Sequence, residues 1–132
     1  MDIKEFAEKA IEADKEAWQN GNFTLLEELE HPNMVIHMPL NMPDMVGSKA
    51  HKQQIIEARK NYSDIKQEWE YLTGDGNLMV ISYKASFRVG EKMPVSNTPL
   101  ARNFTSDEII VMRVQDGKIV EGWGKGQFTF PD

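Results

Sequence analysis

The sequence contains no cysteine. That absence excludes disulfides, thiolate metal ligands and a cysteine nucleophile, and it fits a reducing cytosol. Basic charge is also in deficit: 15 Lys and Arg face 21 Asp and Glu, for a net charge of −6. Nucleic acids and anionic membrane surfaces are held by basic patches, so neither is an expected partner. No apolar run approaches the ~20 residues that cross a bilayer. The opening stretch MDIKEFAEKAIEADKEAW mixes charges throughout. It has neither the basic start nor the apolar centre of a secretory signal. Internal repeats and low-complexity stretches are missing too. What remains is a soluble, cytoplasmic chain of 132 residues, expected to form one domain (1–132) with enough length to bury a core.

The first third carries helical periodicity. Ile3, Phe6, Ala7, Ala10, Ile11, Ala17 and Trp18 form one apolar stripe over residues 3–19, interrupted by Asp14. Asp2 is placed to cap the start, and Asn20-Gly21 stops the helix. Thr24 and Glu27 have the spacing of a capping box ahead of Leu25, Leu26 and Leu29, with Pro32 as the stop. Ser48 is placed to cap a third helix over 49–61. From Ile65 to Val89 the period changes to two. Odd positions such as Trp69, Tyr71, Met79, Ile81, Tyr83 and Phe87 are apolar, and the intervening Lys66, Glu68, Glu70, Lys84 and Arg88 are polar. That is the pattern of a half-buried antiparallel sheet, with TGDGN (73–77) as a hairpin turn. A loop with Gly90, Pro94 and Pro99 precedes strands over 104–115 and 118–129, joined by QDGK. Helices first and a strand meander afterwards define an α+β fold.

One segment resists this simple reading. Residues 33–48, NMVIHMPLNMPDMVGS, hold four of the eight methionines. Met34, Met38 and Met42 have helical spacing, but Pro39 and Pro43 forbid a helix there. Flexible, polarizable thioethers suit a cavity for an irregular apolar molecule, and they equally suit gaps in a small core.

At NFTSDEIIVMRVQDGKIVEGW the chain resembles the SnoaL-like polyketide cyclases and the wider nuclear transport factor 2-like superfamily. The order helix–NGNF–helix, the strand ending IHMP and VGSKAHKQQI opening the third helix extend the resemblance over nearly the whole chain. The resemblance implies a curved antiparallel sheet wrapped around three N-terminal helices as a cone with an internal pocket. It also implies a homodimer formed through the sheet. Cyclases, isomerases, dehydratases, epoxide hydrolases and non-catalytic binders share this scaffold, so the fold alone assigns no activity. Anchored on Asp116-Gly117-Lys118-Ile119, the cyclases' last-strand catalytic aspartate falls at Gly124. Their histidine and glutamine fall at Ile110 and Glu108. The aspartate base of the related ketosteroid isomerases falls at Met38, and their oxyanion donors fall near Asp14 and at Ile110. Glycine, isoleucine and methionine side chains move no protons, so neither mechanism transfers as it stands.

In the register that the resemblance implies, Glu108, Ile110 and Met112 face inward together, because side chains two apart share a face. Met34, Ile36 and Met38 line the first strand, Val120, Gly122 and Gly124 the last, and Tyr83 and Phe87 close the wall. Two acids then stand out. Glu108 is a base or acid raised by its apolar surroundings, or else an exposed carboxylate paired with Lys84 or Arg88. Asp14 is a hydrogen-bond donor facing the cavity, or a structural hydrogen bond within the helix packing. Tyr83 is the alternative donor to a developing oxyanion. His37 points opposite to Met38 and reads as structural or surface, and Asp44 reads as turn chemistry. His31, His37 and His51 show no metal-ligand spacing, so no metal and no cofactor are expected. The expected ligand is a small apolar or aromatic molecule. It is either transformed in a cyclase, isomerase or lyase step that begins with proton transfer, or held by a non-catalytic binding or assembly module.

Overall fold

The computed structural model describes residues 2–89 and 102–129. The loop residues Gly90, Pro94 and Pro99 lie outside the described residues. The elements are α1 (Ile3–Asn20), α2 (Thr24–Leu29), β1 (Glu30–His37), β2 (Met45–Val46) and α3 (Ser48–Asn61), then β3 (Tyr62–Asp75), β4 (Leu78–Val89), β5 (Arg102–Gln115) and β6 (Lys118–Thr129).

Helix α1 begins and ends where its sequence requires. Asp2 Oδ1 accepts from the amides of Lys4 and Glu5 at 3.0 and 3.2 Å. Gly21 closes the helix in the left-handed region (φ +67°), where it donates to the Ala17 carbonyl. The expected caps of the other two helices are not made. The Thr24 amide donates to the Asn22 side chain at 3.1 Å, and no side chain caps α2, so the Thr24–Glu27 box does not form. Gly47, not Ser48, occupies the cap of α3 at φ +93°, a conformation that an L-residue side chain resists. Among the described residues no helix is long and apolar enough to cross a membrane.

The six strands form one curved, open sheet in the order β2-β1-β6-β5-β4-β3. Four of the five neighbouring pairs are antiparallel; β1 and β6 run parallel, which the alternation pattern did not predict. A parallel neighbour needs a long crossover, here everything between the two strands. Between β5 and β6 the chain turns in two residues, Asp116 and Gly117, both at positive φ (51° and 75°). Such turns match the twist of the flanking strands.

The helices lie against the concave face. Phe6, Ala10, Ile11 and Ala17 of α1 pack with Leu26, Leu29, Met34, Ile55, Met79 and Ile81 in the main core. Towards the other end of the sheet, Ala85, Phe87 and Phe104 form a second cluster with Trp18 and Tyr62 against it. Phe87 and Phe104 stack at 4.8 Å between ring centres. Between the two clusters the layers do not close completely, and the gap is the cavity.

Candidate functional site

The gap has a volume of about 450 Å³. Its sheet wall follows the predicted phase of β5: Ser106, Glu108, Ile110 and Met112 face the cavity, and Ile109 is exposed behind them. Phe87 and Tyr83 contribute from β4 as expected. On β6 the phase fails at one place. Arg113 pairs with Glu121 but the next pair is Val114 with Ile119, so Val120 sits at a bulge. An extra residue reverses the facing of what lies beyond it. Ile119 is therefore the buried, cavity-lining residue in place of Val120, while Gly124 keeps its predicted position.

The methionine segment divides in two. Met34 is only 1% exposed and belongs to the main core, so it does not line the cavity as expected. Met38, Met42 and Met45 do line it, together with Ile36 and Pro39. Leu40 and Asn41, both at φ +59°, turn the chain between Met38 and Met42. The prolines that exclude a helix thus produce a folded-back wall of thioethers.

At the sheet end, Glu108 extends towards the last strand. Ser106 Oγ donates to Glu108 Oε2 at 2.9 Å, and neither Lys84 nor Arg88 is its partner. Burial holds the Glu108 carboxyl above its ordinary range, and the Ser106 hydrogen bond opposes that rise. A Cβ placed on Gly124 would lie 3.3 Å from Glu108 Oε1. On Gly126, Glu108's neighbour across the strands, a Cβ would collide with the backbone of Asp107 and Glu108. The bare glycines of β6 are what let the Glu108 side chain lie across that strand. Tyr83 is the neighbour of Glu108 on β4. Its oxygen accepts from Gln67 Nε2 at 2.8 Å, and among the described residues no acceptor takes its proton. Burial pushes the Tyr83 hydroxyl well up; the Gln67 bond opposes this, and the Glu108 and Asp14 carboxyls add to it.

The helix end holds a second group. Asp14 faces the cavity from α1, one-fifth exposed. Burial raises its carboxyl from 3.8 to about 7; His51 works against the rise and Glu30 adds to it. His51 Nε2 lies 3.9 Å from Asp14 Oδ1, and His51 Nδ1 is 2.6 Å from Glu30 Oε2. Burial opposes the His51 charge, yet the Glu30 hydrogen bond and the fields of Glu30 and Asp14 raise the imidazole above its usual value. His51 and Glu30 were missed in the sequence. The available signal was the helical stripe shared by His51, Ile55 and Ala58, whose last two members are buried.

His37 lies outside this arrangement. Its Nε2 is 2.8 Å from Glu121 Oε2, its Nδ1 is 3.1 Å from Asp44 Oδ2, and its ring stacks on Trp123. These contacts match the structural role expected of His37 and give Asp44 a partner beyond its turn, but His37 also borders the cavity beside Met38, which the alternation along β1 did not predict. Trp18 and Trp69 line the cavity instead.

The sequence model of the SnoaL-like polyketide cyclases matches residues 8–127. The chain belongs to the SnoaL-like polyketide cyclase family. Solved structures extend the likeness. TsrD from Streptomyces laurentii superposes with a TM-score of 0.74 at 17% identity, covering 93% of this chain and 89% of that one. SalBIII, described as an epoxide hydrolase/cyclase-like enzyme in pyran ring formation in the polyether salinomycin, gives 0.72 at 15% identity, covering 98% of each chain. An LEH-like epoxide hydrolase of M. tuberculosis gives 0.63 at 15%, covering 93% of this chain and 79% of that one. At these identities the structures establish the fold alone. No curated protein matches the chain in sequence.

Proposed function

We infer that this SnoaL-like domain binds a small apolar or aromatic carbonyl compound and catalyses a cyclase- or isomerase-type step that begins with proton removal from carbon. One observation carries the reading: Glu108 brings a desolvated carboxyl across the bare strand to the edge of Gly124. Gly124 is the position where the family resemblance expects an aspartate. The acid is supplied from the adjacent strand, and a glycine leaves room for it. Glu108 takes the proton, and Tyr83, whose own proton no acceptor among the described residues takes, donates to the oxygen on which negative charge develops. The apolar wall of Met38, Ile110 and Met112 excludes water from the carboxylate.

The probe 5-nitrobenzisoxazole tests this without knowledge of the natural substrate. A base takes its carbon-bound proton, the freed electron pair completes a nitrile, and the N–O bond breaks to leave a coloured phenolate. Glu108→Gln is expected to lower the rate by roughly 10²-fold or more, with the melting temperature nearly unchanged. Equal rates in the two proteins would end the proton-transfer reading. Saturable quenching of tryptophan fluorescence by the probe, with no turnover, would favour the non-catalytic binder; the loss of acid–base groups at Gly124 and Ile110 supports that rival. The resemblance also supports a homodimer through the outer sheet face, where Ile109 is 42% exposed. Light scattering should give twice the chain mass, and a monomer would remove that proposal.

A further inference from the structure

Of the ionisable side chains of the cavity that the reaction above leaves unused, three come together. Asp14 from α1, His51 from α3 and Glu30 from the first position of β1 converge on the helix-side wall. Glu30 is only 5% exposed, and its 2.6 Å contact fixes His51 Nδ1. That leaves Nε2 directed at Asp14, 3.9 Å away, which is beyond hydrogen-bond length but within reach of an ion pair. Apolar residues of similar volume would join three elements at least as well, since buried charges carry a desolvation cost that packing avoids. The Asp14 carboxyl also interrupts an otherwise apolar stripe at the point where that stripe borders the cavity. A purely architectural role explains neither its exposure to the cavity nor the imidazole held against it.

We propose that Asp14, His51 and Glu30 form a second acid–base centre, in which Asp14 hands a proton to the ligand's oxygen and His51, oriented by Glu30, steadies the carboxylate left behind. The proposal rests on the proton-transfer reading of Glu108. In the combined step Glu108 takes the proton from carbon, the electron pair moves towards the oxygen, and the proton of Asp14 neutralises it. The product leaves as an uncharged enol or phenol, and Asp14 becomes a carboxylate beside the imidazolium. Burial supports this assignment, because it keeps the Asp14 proton in place up to about pH 7. The other titratable groups lining the cavity are Tyr83 from β4, Glu108 from β5, Tyr62 from β3, Glu57 from α3 and His37 from β1. Tyr83 and Tyr62 are both held neutral by burial.

Two measurements on the intact chain test the centre. The first needs no ligand: carbon-detected NMR of the Asp14 carboxyl and nitrogen-detected NMR of the His51 ring across pH. Asp14 should titrate near pH 7. In His51→Gln its midpoint should rise by about one to three units, because an opposing charge at this range has been removed. The second is the pH–rate profile for α-proton exchange of 2-tetralone in heavy water, whose enolate, unlike the nitrophenolate of the first probe, is basic enough to take a proton from Asp14. The wild type should give a bell whose alkaline limb coincides with the Asp14 midpoint, and Asp14→Asn should lose that limb while keeping the limb set by Glu108. Titration of Asp14 near 3.8, or an alkaline limb that survives in Asp14→Asn, would overturn the second centre alone. A rate that ignores Glu108 would overturn the proton-transfer reading and, with it, the ligand role of Asp14.

Discussion

The two ends of the cavity present the same functional group in opposite company. At the sheet end, Glu108 has one neutral partner among the described residues, Ser106, two residues away on the same strand. The pleat alone aims both side chains inward, and the neighbouring strand only has to keep clear. At the helix end, Asp14 faces an imidazole and a second carboxylate delivered by α3 and β1. No local rule brings those three residues together. The first acid is placed by strand geometry and the second by packing; dehydration raises both, opposed by a neutral hydroxyl at the sheet end and by the His51 charge at the helix end. A pocket can therefore hold two carboxyl groups that respond differently to pH and to mutation.

The largest effect should come from neutralising the helix end alone. The folded-state value for Asp14, about 7 against 3.8, means that the folded chain holds this proton more tightly than the unfolded one. Its contribution to stability is then full at acid pH and is lost as pH rises through about 7. Three units correspond to at most about 4 kcal/mol. Denaturant unfolding of the wild type should show stability falling between pH 4 and pH 7. Asp14→Asn should flatten most of that fall; an unchanged slope would mean that Asp14 is not the source. Gly126→Ala attacks the sheet end. Its added methyl meets backbone that cannot rotate away, so a loss of about 3 kcal/mol is expected, whereas Gly124→Ala meets the Glu108 carboxyl and Pro39 closely and the His37 carbonyl at ordinary contact distance, and should cost about 1 kcal/mol. Equal melting temperatures for the two variants would contradict the close approach at residue 126. Tyr83→Phe touches both ends at once. It should slow the probe reaction about tenfold or more by removing one donor, with about 1 kcal/mol of stability lost through Gln67. His37→Gln, at the cavity rim but committed to Glu121 and Asp44, should have the smallest effect, leaving the dependence of the probe reaction on Glu108 intact and the melting temperature nearly unchanged.

How much of this was legible follows from which forces are local. The family resemblance implied which face of β5 turns inward, and the period of two carried that face along the strand, because successive side chains alternate whatever surrounds them. The α1 stripe and both its ends were equally readable, including the anomaly of Asp14. Val120 was misplaced because a bulge depends on the pairing of two strands, and the sequence of β6 alone carries no mark of it. Met34 was misplaced for a related reason. It shares a strand face with Ile36 and Met38, but that face passes from core to cavity along the strand, and only packing depth decides where. Glu30 and His51 were overlooked because they lie 21 positions apart and meet only after α3 folds back. The caps expected at Thr24 and Ser48 failed because both residues lie inside their helices: Asn22 takes the Thr24 amide, and Gly47 holds the cap position of α3 without a side-chain bond.

The position of β6 between β1 and β5 also constrains how the molecule can be assembled. On a ribosome, α1 to β1 emerge early but have no parallel neighbour until residues 118–129 follow. Until then the thioether wall has nothing to close against, and the nascent chain must carry apolar surface without a place for it. Formation of a binding-competent interior is thus expected to be a late, all-or-none event, and chaperone dependence should concentrate in the time before that insertion.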